Sequence, residues 1–124
     1  MMKLSVNGLS QDIRSIEEMS AALDKMDSVA DFEAWAVATQ GPSLTMLRSN
    51  ENAFLMYLRE PGDSGFTSRG SSAERPLVSF KLSNGQVDVY PMGWCIPLEQ
   101  CYKAMAYFFV NDGDRPAWVN WHEG

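Results

Sequence analysis

The chain is short of most of what a small enzyme relies on. It has one histidine, His122, and two cysteines, Cys95 and Cys101. A Ser/His/Asp or Cys/His hydrolase would have to use His122, which stands at the end of the sequence, where side chains are poorly ordered and make weak general bases. One histidine without a Cys-x-x-Cys pair gives too few good ligands for a zinc site. The spacing of Cys95 and Cys101 fits neither a metal pattern nor a disulfide framework, so both read as small buried hydrophobes. Arg69-Gly70-Ser71-Ser72 has the look of a phosphate cradle, but no GxxxxGK[ST] or GxGxxG pattern surrounds it. No cofactor and no metal are expected. An apolar run of about 18 residues, enough to cross a bilayer, is missing too. So is the apolar core of a signal peptide, and a cytoplasmic protein is expected.

Basic residues are scarce: 10 Lys and Arg stand against 16 Asp and Glu, for a net charge of −6. Direct binding to nucleic acid is therefore disfavoured, since phosphate contacts need clustered Lys and Arg. A basic protein partner fits the charge, as does a merely solvated acidic surface. The densest acidic window runs from Asp12 to Glu33 and includes Glu17, Asp24 and Asp27. What the chain does have is apolar material: 45% hydrophobic and 21% charged residues, values that exclude disorder. Its 124 residues suit a single domain over residues 1–124.

The periodicities place the elements. Lys3 to Val6 reads as a strand, and Leu9 to Arg14 as a connector after an Asn7-Gly8 turn. Ser15-Ile16-Glu17-Glu18 has the form of a capping box, and the stripe Ile16, Met19, Ala22, Leu23, Met26 predicts a first helix. Strands are predicted over Phe32–Ala38, Ser43–Arg48 and Ala53–Leu58. An open loop over Glu60–Pro76 follows, with a short extended piece near Gly65–Ser68. Leu77–Leu82 and Gln86–Tyr90 flank Asn84-Gly85, which predicts a hairpin closed by a type I′ turn. Pro97 opens a second helix whose stripe is Leu98, Cys101, Tyr102, Met105, Phe108 and Phe109. It ends at Asn111-Asp112-Gly113-Asp114, and Ala117–Trp121 reads as a last strand. The expected fold is α+β, a two-layer domain with a twisted, mainly antiparallel sheet of about six to eight strands and both helices on one face.

The C-terminal part carries a further signal. Ile96-Pro97-Leu98 opens a helix that closes on Phe108-Phe109. The turn Gly113-Asp114-Arg115-Pro116 follows, then Val119, Trp121 and Glu123. This pattern resembles the bacterial immunity proteins that accompany polymorphic toxins, often toxins of the deaminase superfamily acting on nucleic acid. The resemblance implies no reaction of the chain's own. It implies tight binding to a cognate toxin catalytic domain, blocking its active site or substrate groove. On that reading the expected toxin-binding residues are exposed acids at loop tips and sheet edge: Glu60, Asp63, Asp112, Asp114 and Glu123, with Asp88 on the hairpin. The acidic face of the first helix (Glu17, Asp24, Asp27) is the other candidate. Two further readings stay open from the residues alone: a peptide-binding adaptor or regulatory domain using a free sheet edge, and a small hydrolase or ligand-binding domain with its pocket under the loop from Glu60 to Pro76. Oligomeric state is not legible.

Overall fold

Tight turns let the first half of the chain fold back on itself, strand beside strand. The computed structural model describes residues 2–71 and 76–124, so Ser72, Ala73, Glu74 and Arg75 of the open loop lie outside the described residues. The order is β1 (Met2–Val6), β2 (Leu9–Ile13), α1 (Ile16–Asp27), β3 (Asp31–Ala38), β4 (Ser43–Ser49), β5 (Asn52–Leu58) and β6 (Phe66–Ser68). Then come β7 (Leu77–Lys81), β8 (Val87–Pro91), a 3-10 turn (Met92–Trp94), α2 (Leu98–Val110) and β9 (Trp121–Glu123). Seven strands form one antiparallel sheet in the order β2-β1-β3-β4-β5-β6-β9, and β7 and β8 form a separate hairpin. The fold is α+β, as the periodicities predict. No helix among the described residues is long and apolar enough to cross a membrane.

Each face of the sheet has its own core. On the helix side, Leu4, Phe32, Ala34, Ala36, Leu44, Met46 and Leu55 meet Met19, Ala22 and Met26 of α1 and Cys101, Ala104, Met105 and Phe108 of α2. On the other side, Leu47 and Phe54 meet Val78 and Phe80 of the hairpin. Full burial of a side chain of this size stabilises by about 1.5–3 kcal/mol, so the hairpin is held by its own small core. Its tip is also tied down: the Glu33 carboxylate accepts from the Ser83 N–H at 2.9 Å and hydroxyl at 2.7 Å, and from the Trp35 indole N–H at 2.9 Å. Partial burial works to raise the Glu33 pKa, but these hydrogen bonds outweigh it and hold the group below its ordinary value.

The N-terminus of α1 follows the sequence closely. Ser15 Oγ accepts from the Glu18 N–H at 3.1 Å, while the Glu18 carboxylate accepts from the Arg14 N–H at 2.7 Å, one residue before the cap. The C-terminus of α1 is closed from the sheet. Arg48, buried at the end of the helix-facing row of β4, donates to the carbonyls of Asp27, Val29 and Asn50.

Three local expectations are corrected. The stretch after Asn7-Gly8 is a paired strand and not a connector. Both turn residues have positive φ (50° and 87°), the type I′ geometry whose twist matches a hairpin, so Leu9–Ile13 returns alongside β1. At Asn84-Gly85 only the glycine has positive φ, at 88°. The Gly85 N–H donates to the Leu82 carbonyl and the Leu82 N–H to the Gln86 carbonyl, which makes a longer loop with a glycine bulge. The last strand begins at Trp121, because the Val119 N–H bonds back to the Pro116 carbonyl and the chain turns there.

The hairpin register has one further consequence. Phe80 pairs with Asp88 and Val78 with Tyr90, so Asp88 lies on the inward row and Val87 and Val89 point out, 59% and 55% exposed. Replacing both valines by threonine should therefore change unfolding free energy by less than about 0.5 kcal/mol, whereas Phe80→Ala should cost about 3–5 kcal/mol. Urea titration of the two variants checks this; a loss of several kcal/mol from the valine pair would mean the register is shifted.

Candidate functional site

The helix-facing row of the sheet runs Leu44, Tyr57, Phe66, Glu123 across β4, β5, β6 and β9. It begins in the core and ends at the surface. Tyr57 is buried, and its ring meets Phe108 of α2 at 6.1 Å, Phe66 at 6.3 Å and Trp121 at 6.3 Å. Its hydroxyl donates to the Gly113 carbonyl at 2.7 Å, which fastens the turn after α2 onto this end of the sheet.

That turn has the bonds of a Schellman cap: the Gly113 N–H reaches the Phe108 carbonyl at 2.8 Å and the Asp112 N–H reaches that of Phe109 at 3.4 Å. Asp112 takes the left-handed position, with φ of 52°, where glycine is usual. Gly113 is buried, and an added Cβ would meet the Ala38 Cβ at 3.0 Å. The last turn of α2 contains no basic residue, and Asp112 and Asp114 follow it. Two carboxylates thus sit at the negative end of a helix dipole, a placement that opposes stability.

Around this turn the predicted acids gather. Arg59, just past β5, makes a two-pronged contact with Asp63, Nε to Oδ2 and Nη2 to Oδ1, each at 2.9 Å, and reaches Glu123 at 3.2 Å. Glu60 lies beside it in the chain, and its carbonyl accepts from the Asp63 N–H. The phenol of Tyr57 is raised above its ordinary value by burial first and Asp114 next, opposed by Arg115 and Arg59. Two guanidinium groups share the Phe66 ring, Arg115 with its Cζ 3.9 Å from the centroid and Arg59 at 5.1 Å. One end of the molecule therefore carries Glu60, Asp63, Asp112, Asp114 and Glu123 against Arg59 and Arg115.

These acids are not equivalent. Hydrogen bonds from the Arg59 side chain, then from its backbone N–H, hold Asp63 well below the usual carboxylate range. The same contacts push Arg59 up. Glu60, Asp112 and Asp114 form no ion pair among the described residues. Asp88 stands apart from this group on the hairpin, half-buried, bonded to the Gln86 amide at 3.0 Å and to the Tyr90 hydroxyl.

The other acidic candidate is the face of α1 carrying Glu17, Asp24 and Asp27; Asp24 and Asp27, with Glu99 of α2, also line a groove of about 570 Å³ between the helices beside Leu23, Leu98 and Tyr102. Asp27 and Glu99 are engaged within the fold, whereas Glu17 and Asp24 form no ion pair among the described residues. Asp27 faces Arg48 at 3.4 Å and accepts from the Tyr102 hydroxyl at 3.1 Å, and Glu99 pairs with Lys103 at 3.2 Å. Burial, with Asp27 adding and Arg48 opposing, pushes the Tyr102 phenol up to about 12.

Of the residues weighed for chemistry, His122 is exposed on β9, Cys95 is half-buried and Cys101 is buried; both cysteines are free thiols. No group of three or more His, Cys, Asp or Glu among the described residues is placed to hold a metal ion. The residues that sequence reasoning missed are Arg59, Phe66 and Tyr57. Only the five-residue stretch Arg59–Asp63, an i, i+4 pair across a Pro-Gly turn, hinted at one of them.

Two outcomes are expected. A carboxylate held below its ordinary value of 3.8 adds stability that is complete above that pH and is lost as pH falls below it. Asp63→Asn should therefore lower the melting temperature at pH 7 and flatten its decline below about pH 4; an unchanged acid limb would mean the pair contributes nothing. Asp112→Gly should raise stability by about 0.5–1 kcal/mol by relieving the left-handed residue, read by urea titration, with a loss indicating that the carboxylate supports the turn.

A family model described as Immunity protein Imm1 matches residues 8–123. No curated protein matches the chain.

Proposed function

The chain belongs to the Imm1 immunity protein family, and from that premise we propose that it inhibits a cognate toxin by laying its acidic sheet end against the toxin's catalytic domain. The toxin on this reading is a deaminase-type enzyme acting on nucleic acid inside the cytoplasm. Such an enzyme needs a cationic groove for phosphates, and a carboxylate-rich surface can occupy that groove and exclude the substrate. The inhibitor contributes binding and no reaction of its own.

The observation that carries the reading is the gathering of Glu60, Asp63, Asp112, Asp114 and Glu123 at one end of the sheet around Arg59 and Arg115. Two features support it. Asp112 and Asp114 occupy the wrong end of a helix dipole and Asp112 a left-handed residue, placements that cost stability and are accounted for by a use outside the fold. Glu60, Asp112 and Asp114 also keep their charge unspent, so they can steer a basic partner from a distance. Asp63 and Glu123 form the inner layer, held by Arg59. Asp88 lies off this surface.

Co-expression with the C-terminal domain of the toxin encoded beside this gene tests the reading. Growth should be rescued and the two proteins should co-purify. Replacing Glu60, Asp112 and Asp114 by Gln and Asn should slow association about ten-fold or more at low salt and flatten its salt dependence. If the protein neither rescues growth nor co-purifies, immunity toward that toxin is excluded. If association rate and salt slope stay unchanged, the acidic end is not the contact surface.

A further inference from the structure

Arg115 is a charge at the acidic end that no carboxylate in the fold accounts for. Its neighbour in the stack, Arg59, is fully engaged: two contacts of 2.9 Å to Asp63 and one of 3.2 Å to Glu123. Arg115 has its guanidinium 3.9 Å from the Phe66 centroid, and no carboxylate among the described residues lies within ion-pair distance of it. It is partly buried, so it has given up part of its hydration for the face of Phe66 alone, without a carboxylate in return.

The backbone beneath it is fixed on both sides. Gly113 is buried and bonded to the Tyr57 hydroxyl, and Pro116 is fully buried, its carbonyl accepting from the Trp121 indole at 2.8 Å. An arginine on such a turn, laid flat on an aromatic ring, has little conformational freedom left to lose on binding. Beside Arg59 it is a second positive charge among five carboxylates, and it weakens further the field that draws in a basic partner. A surface built only for attraction would omit it.

We infer that Arg115 is a specificity anchor whose planar fork takes up a carboxylate of the toxin. This rests on the reading of the acidic end as the toxin-binding surface. The partner that fits has cationic walls facing Glu60, Asp112 and Asp114 and one carboxylate opposite Arg115. An enzyme that acts on nucleic acid presents that arrangement at its active site, with basic residues for the phosphates around an acid that transfers protons. Arg115 therefore faces the proton-transferring carboxylate, and inhibition plugs the active site instead of occluding the substrate from a distance.

The test is a double-mutant cycle with the purified catalytic domain of the neighbouring toxin, in its native form and in the acid-to-Gln form that abolishes toxicity. Arg115→Gln should weaken binding of the native domain roughly 30-fold or more, through faster dissociation, and binding of the acid-to-Gln domain by no more than about 3-fold. Arg115→Lys keeps the charge and the stack but not the fork. It should melt with the native protein and still dissociate about ten-fold faster. An equal loss with both domains, or native dissociation by Arg115→Lys, overturns the inference while immunity stands. If the native pair does not bind at all, the immunity reading for that toxin fails and the anchor fails with it.

Discussion

One buried hydroxyl decides where the charged end of this molecule sits. Tyr57 reaches the Gly113 carbonyl at 2.7 Å, and that bond joins the fifth strand to the turn that ends the second helix. The net worth of such a bond is about 1 kcal/mol, but leaving the carbonyl buried and unpaired costs about 1–3 kcal/mol, so the turn has one strongly preferred seat. From that seat the rest follows in order. Gly113 packs on Ala38 and Pro42, Asp112 and Asp114 are turned outward, and Arg115 falls on Phe66. Pro116 is set where its carbonyl takes the Trp121 indole. The final strand then adds to the sheet edge at Phe66 and brings Glu123 to Arg59. A surface assembled from four separate stretches of chain is thus referred to a single interior contact.

The two faces of the sheet serve different ends. The helix face holds the main core and delivers the acidic end through the row from Leu44 to Glu123. The other face is covered by the hairpin on a small aromatic core, Phe54 against Phe80 at 5.1 Å and against Tyr90 at 4.9 Å. That hairpin wears its valines outside and its aspartate inside, the reverse of what a solvated strand prefers. The reversal is tolerable because Asp88 finds the Gln86 amide and the Tyr90 hydroxyl, and because Phe80 and Tyr90 need the inward row.

That inversion marks the boundary of what could be read from the residues. Both helices, the cap at Ser15 and the strands from Phe32 to Leu58 were legible because their signals are periodic and local: a stripe at 3.6 residues, a hydroxyl three positions before a glutamate. The hairpin itself was legible, but its inward face was not. Val87 and Val89 present a clean alternation that fits either face, and the choice was made by Phe80 and Tyr90 across the strand and Phe54 in another sheet. The acids illustrate the same divide. Their exposure follows from turn composition, so Glu60, Asp112, Asp114 and Glu123 could be named in advance. Their convergence depends on long-range pairing of Phe66 with Glu123 and of Tyr57 with Gly113, which no local pattern encodes. Arg59 was missed for this reason, and with it the fact that Asp63 is neutralised in place.

Attraction and discrimination are in tension on such a surface, and the two arginines divide the work. Unpaired carboxylates speed the approach of any basic protein, whatever its shape, so they cannot by themselves tell one toxin from another. Arg59 also subtracts from that field, but in exchange it fixes Asp63 and Glu123 in place. Arg115 subtracts from the field and gains nothing within the fold beyond a stack on Phe66. Its effect lies in what happens to a wrong partner. A basic surface with no carboxylate opposite Arg115 would close over an unpaired guanidinium, and a buried charge without a partner costs more than a missing attraction. Rejection of that kind acts after encounter, on the lifetime of the complex. Steering by Glu60, Asp112 and Asp114 therefore sets how fast a toxin is caught, and the unpaired Arg115 sets which one is kept.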